Sequence, residues 1–196
     1  LILITLTTIF DMDKNRIIQL RGQLKKFFKS DKRVFVFEVD SELPDRVKFI
    51  YQVVFPGILK FKFFLVYLIA RLAQYIDYSP IKIFLYRLIG IKIGKGVFIA
   101  QDVILDPHFP CLITIEDYCI IGWGAKLFTH EFSNNKYRVG RIDIQEGATI
   151  GAFSTLRGGV TVGKMADIPY GTILYRNVPA YSKPMQILFK KLDENA

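Results

Sequence analysis

Chemistry in this sequence centres on its two histidines, His108 and His130, and the residues around them. A neutral imidazole can take a proton near neutral pH, so each is a candidate base. His130 follows Thr129 at the start of a long break in an otherwise regular pattern. His108 lies in a shorter break, one turn of the pattern earlier. Asp106 opens that shorter break, directly before Pro107. Its carboxylate can bind an acceptor hydroxyl or orient an imidazole; equally, an aspartate before proline can cap its own turn. Glu131 can orient the His130 ring or face solvent. Trp123 can wall an acceptor site or pack in a contact between subunits. Two histidines are too few for a three-His metal site. Two cysteines exclude a four-Cys zinc site and a disulfide scaffold. No metal is expected.

The pattern that must position these residues has a period of six. Aliphatic residues recur at Ile93, Ile99, Leu105; Ile115, Ile121, Leu127; then Ile144, Ile150, Leu156, Val162, Ile168 and Leu174. Two residues before each stands a smaller or β-branched residue, from Ile91 and Val97 through Cys119, Ala125, Ala148 and Ser154 to Thr172. A spacing of six is neither helical nor alternating. It is the signature of a hexapeptide β-helix, in which three short faces close a triangular coil around inward aliphatics. Gly94, Gly122, Gly151 and Gly163 follow the aliphatic, where a turn favours little side chain. The two breaks add Pro107 to Pro110 and His130 to Arg141. A coil tolerates insertions at its corners, and loops on a rigid scaffold commonly carry function.

Residues 1–90 differ in composition. They hold 3 of the 14 glycines, and 15 Lys or Arg against 8 Asp or Glu. Helices are expected over 14–29, 45–54 and 81–89, the last starting at Ser79-Pro80 and stopping at Gly90. A short strand is expected over 33–39. The segment 59–76 reads as a helix apolar nearly all round, so it must be buried in protein or lie in a membrane surface. Its cations argue against a span. Leu1 to Phe10 lacks a basic start and a cleavage site, so no signal peptide is expected. The net charge of +9 favours anionic partners, yet no nucleic-acid-binding module is recognisable.

On three segments the chain resembles the hexapeptide acyltransferases, the group of left-handed β-helices that includes galactoside, maltose, serine and xenobiotic O-acetyltransferases. The first is Arg87 to Gly94. The second is Ile121 to His130, like the family's "IGxxxxILTH". The third runs from Gly159-Val160-Thr161-Val162-Gly163 to Asn177 through Ser182, like "PGVTIG" and "KDVPPYS". The resemblance covers residues 85–182. It implies a mainly β fold: a left-handed parallel β-helix of about four coils over 89–182, a mostly helical, basic and apolar segment over 1–88, and a short helix in the tail, 183–196.

The resemblance also implies a function. His130 matches the general base that prepares an acceptor hydroxyl for attack on the thioester of acetyl-CoA. Asp106 falls near an acceptor-binding aspartate of the sugar-acting members, and Trp123 and Glu131 stand beside the same site. Ala152 matches the backbone donor to the oxyanion. Arg176 matches the Lys or Arg of the family's CoA-binding segment; Gly151, Gly171 and Lys183 are further candidates for the cofactor, with Lys164 another cation on that side. A homotrimer with sites between subunits is implied, acting in the cytoplasm on a small-molecule or glycan acceptor. Peripheral membrane contact through the basic first half would bring it to a lipid-linked acceptor.

Departures from the family fall in the cofactor half. Pro169-Tyr170-Gly171-Thr172 stands for "GAGS", Tyr175 replaces a smaller residue, and Lys183 to Gln186 stands for "AGNPA". These changes leave open altered contacts to CoA, another donor, or loss of donor binding. The alternative function is therefore a non-catalytic trimeric β-helix serving as a binding platform.

Overall fold

The hexads wind into three flat faces, each a parallel sheet of four short strands. The computed structural model describes residues 2–40, 46–54 and 60–183; the helix expected over 185–192 lies outside them. Face one stacks β2 (Lys92–Ile93), β5 (Ile113–Ile115), β10 (Ile142–Ile144) and β13 (Thr161–Val162). Face two stacks β3 (Phe98–Ile99), β6 (Ile120–Ile121), β11 (Thr149–Ile150) and β14 (Asp167–Ile168). Face three stacks β4 (Ile104–Leu105), β7 (Lys126–Phe128), β12 (Thr155–Arg157) and β15 (Ile173–Leu174). The result is the left-handed parallel β-helix, four coils long.

Register puts like on like. Ile99, Ile121, Ile150 and Ile168 form one column, and Leu105, Leu127, Leu156 and Leu174 another. The smaller series, Val103, Cys119, Ala125, Ala148 and Ser154 among them, is buried in the same prism. Burying each large aliphatic contributes about 1.5–3 kcal/mol.

The corners show why glycine recurs. Three residues before eight of the twelve inward aliphatics the backbone turns with φ between 54° and 69°, filled by Gly96, Gly124, Gly147 and Gly171 or by Asp102, Tyr118, Phe153 and Met165. A large side chain at this position lies over the glycine of the preceding coil, as Phe153 does over Gly124. Gly94, Gly122, Gly151 and Gly163 serve a different purpose from the turn expected of them. Their φ is ordinary, but the next coil runs against them: a Cβ on Gly122 would lie 2.6 Å from the Ala152 nitrogen.

Two helices close the N-terminal end of the prism. They are α3 (Lys60–Tyr75) and α4 (Ser79–Leu88). From α4, Tyr86 donates to the Val103 carbonyl at 2.9 Å, Lys82 donates to the Ala100 carbonyl at 2.6 Å, and the Ser79 hydroxyl accepts from the Ile99 amide at 3.1 Å. Those groups satisfy first-coil backbone that has no earlier coil to pair with. Burial lowers the Lys82 pKa, with Asp77 and Asp102 opposing the shift. From α3, Ala70 and Ala73 pack on the same core. Its opposite side is exposed, so this helix is buried on one face only.

A second core holds the long insertion in place. It joins α1 (Ile2–Phe28), β1 (Val34–Glu38) and α2 (Arg46–Val54) to Phe109, Leu112, Tyr137 and Val139. Residues 130–140 form a hairpin, β8 (His130–Ser133) and β9 (Lys136–Gly140). Strand β1 adds to it antiparallel, giving the order β1-β9-β8. Arg141 ties the arrangement to α1, donating to the Ser30 carbonyl at 2.9 Å and to those of Phe27 and Phe28. A guanidinium there also suits the negative end of the helix.

Candidate active site

Coil stacking assembles the site. Leu105 pairs with Leu127 in adjacent coils, so the residues just past each meet at the corner between faces three and one. Asp106 is 1% exposed and collects donors on both oxygens. Oδ2 accepts from the Thr129 amide at 2.9 Å, the Thr129 hydroxyl at 2.6 Å and His130 Nδ1 at 2.6 Å. Oδ1 accepts from the His108 amide at 2.9 Å and lies 3.2 Å from His108 Nδ1. Asp106 therefore both caps its own turn and orients His130. Burial alone would raise the Asp106 carboxyl, but the hydrogen bonds from His108, His130 and Thr129 outweigh it and hold the group well below the usual carboxylate range.

The carboxylate fixes the proton of His130 on Nδ1, so Nε2 is the basic nitrogen. Nε2 makes no hydrogen bond among the described residues. The ring packs against His108 at 4.2 Å, Tyr137 at 5.8 Å and Phe109 at 6.0 Å between centroids. Rotation is thus blocked on several sides, and the hairpin carrying the ring is pinned by β1.

Grooves reach His130 from two sides. One, of about 260 Å³, follows face three toward the C-terminal coils and is lined by Phe128, Thr155, Arg157, Ile173 and Tyr175. The other, of about 170 Å³, leads toward α3 and is lined by Tyr67, Arg71, Gln74, Asp106 and His108. Glu131 does neither of the things expected of it. It pairs with Arg157 through both carboxylate oxygens and lies 3.9 Å from Arg138. The ion pair forms a wall of the first groove and raises the Arg157 pKa.

The remaining candidates are spread over other edges of the prism. Trp123, Gly151, Ala152 and Gly171 occupy the corner between faces two and three. There Trp123 meets Phe153 at 4.8 Å and donates to Asp102 at 3.0 Å, and Tyr170 joins through Phe153 at 5.4 Å. Gly171 donates to the Ala152 carbonyl at 2.8 Å. Arg176 lies exposed on the His130 corner, just past Tyr175. Lys183 pairs with Asp167 at 3.0 Å and Lys164 with Glu146 at 2.9 Å, both away from His130. Tyr137, Phe109, Arg138 and Arg157 also surround the site and carry no motif in the sequence. Arg157 had a signal: it directly follows an inward leucine, in register with Phe128 just before the Thr-His pair.

Asp106, His108 and His130 also offer ligand atoms within 4.8 Å of one another. As placed, His130 Nδ1 is a donor to Asp106. A metal there would have to displace that hydrogen bond.

No family model matches the sequence. The chain is 33% identical over 130 residues to "Putative acetyltransferase YvoF" of Bacillus subtilis, across 64% of this chain and 76% of that protein. It is 33% identical over 125 residues to "Putative acetyltransferase SAS0727" of Staphylococcus aureus, across 61% and 78%. Among solved structures, the hexapeptide-repeat acetyltransferase VCA0836 of Vibrio cholerae superposes with a TM-score of 0.55 at 15% identity, over 66% of this chain and 90% of that one. A second structure of the Vibrio protein, with a TM-score of 0.54, is a complex with acetyl coenzyme A. The maltose O-acetyltransferase of Clostridium difficile superposes with a TM-score of 0.55 at 14% identity, over 65% and 83%. The structures establish the fold and the curated relatives the lineage: the chain belongs to the hexapeptide-repeat acetyltransferase family.

Proposed function

We propose that the protein transfers an acetyl group from acetyl-CoA to a hydroxyl of a sugar or sugar-containing acceptor, with His130 as general base. The observation that carries this reading is the buried Asp106 carboxylate bonded to His130 Nδ1 at 2.6 Å. In the reaction, Nε2 takes the proton of the acceptor hydroxyl as its oxygen attacks the thioester carbonyl. The C–S bond then breaks, and the imidazolium returns the proton to the leaving CoA thiolate. Asp106 keeps the ring in the productive tautomer and stabilises its charged form. The face-three groove takes the pantetheine arm, with Arg157 and Arg176 toward phosphates. The groove beside Tyr67, Arg71 and His108 takes the acceptor.

Ala152 is the oxyanion donor in this reading, supplied by a neighbouring chain. Its corner and that of His130 are different edges of one prism, so a homotrimer packed edge to edge brings them together. In this reading the reaction takes place in the cytoplasm, where acetyl-CoA is supplied. Tyr170 meets Phe153 edge to face at its own corner and does not line either groove at His130. Capping its own turn and tying it to the next coil account for the bonds of Asp106 to the His108 and Thr129 amides, whereas the bond to His130 Nδ1 is the one that the catalytic reading uses and a platform does not. Calorimetry with acetyl-CoA tests the reading. Saturable binding weakened by Arg157→Ala is expected; absence of binding at millimolar ligand would favour the platform.

A further inference from the structure

The outer face of α3 is apolar where a soluble helix is polar. Phe61, Phe64, Leu68 and Leu72 recur at helical spacing on the side opposite Ala70 and Ala73, and Phe61 is 72% exposed. Phe84 and Leu88 of α4 are likewise exposed, opposite buried Lys82 and Tyr86. Both helices press their buried sides on the same core, so their outer sides both point away from the end of the prism. A patch of this kind marks an interaction surface. No helix among the described residues is long and apolar enough to cross a membrane.

Charge selects the occupant. The two helices contain Lys60, Lys62, Arg71, Lys82 and Arg87 and no acidic residue. Lys62, Arg71 and Arg87 are exposed at the surface. A second copy placed face to face would set like charges against each other with no carboxylate in either helix to pair them. An anionic lipid surface accepts both the aromatic stripe and the cations. Tyr67 and Arg71, beside the stripe, also line the groove that ends at His108 and His130.

We propose that the outer face of α3 and α4 lies on an anionic bilayer and opens the His108 groove to a hydroxyl acceptor carried by that bilayer. The docking stands on the surface alone; the acceptor rests on the acetyl-transfer reading. The test is co-sedimentation of the full chain with vesicles of phosphatidylcholine, or of an equimolar mixture with phosphatidylglycerol. Binding to the mixed vesicles at low salt, weakened by high salt, is expected. Phe64→Glu with Leu68→Glu should lower the bound fraction about ten-fold or more. Lys62→Glu should reduce the preference for the anionic vesicles. Neither exposed position supports the fold, so circular dichroism and subunit number should stay unchanged. No wild-type binding, or equal binding by the double variant, overturns the proposal. So does loss of self-association in the double variant, which would assign the face to a second copy. Failure here is separable from failure of the acetyl-transfer reading, which is scored on soluble sugars with His130→Ala.

Discussion

Asp106 Oδ2 and His130 Nδ1 lie 2.6 Å apart, joined across consecutive coils by residues 24 apart in the chain. The β-helix sets that distance. Adjacent coils are hydrogen-bonded along face three, so Asp106 and Thr129-His130 leave the same face at the same corner. The β1-β9-β8 sheet then holds the hairpin that begins at His130. The first half of the chain thereby contributes to the geometry of His130.

Asp106→Asn should lower acetyl transfer about a hundred-fold or more, because an amide donor at that position favours the wrong imidazole tautomer. Acetyl-CoA affinity should be little changed. Steady-state rates beside calorimetry check this: an effect confined to donor affinity would contradict an orienting role.

The same carboxyl makes stability depend on pH. Its folded pKa is depressed by hydrogen bonds that outweigh burial. Such a group stabilises the fold above its unfolded pKa of about 4 and loses that contribution as pH falls toward the folded value. The resistance of the wild type to urea should fall as pH drops below about 4. Asp106→Asn should show a shallower acid limb, and parallel curves would contradict the linkage.

Two glycines should separate two kinds of constraint. Gly122→Ala drives a Cβ to 2.6 Å from the Ala152 nitrogen and 2.8 Å from the Ile150 carbonyl oxygen, so coil stacking must distort. The expected loss is about 2 kcal/mol or more. Gly171→Ala meets nothing within 4 Å but sits at φ +67°, so the loss should be about 1 kcal/mol. Denaturant midpoints compare them. A reversed order would contradict the packing account.

The repeat was legible because a β-helix writes its geometry into a period of six, and every inward column appears in the sequence as recurring aliphatics. His130 was legible at a break in that period. The partnership with Asp106 was left open: a period of six does not say how insertions fold back on one another. Glu131 had no local signal for its pairing with Arg157, which lies one coil later and 26 residues away. In the sequence the hairpin shows only as an insertion, since its pairing depends on β1 about 100 residues earlier, a contact no local pattern encodes. Segment 59–76 showed that it was apolar all round; which side the prism end would cover was a matter of tertiary packing.

The most direct test is acceptor-dependent release of CoA thiol from acetyl-CoA by wild type and His130→Ala, side by side on a panel of soluble sugars. The account predicts turnover by the wild type and a loss of about 10²–10⁴-fold in the variant, with donor affinity and fold retained. Equal turnover by His130→Ala would contradict it.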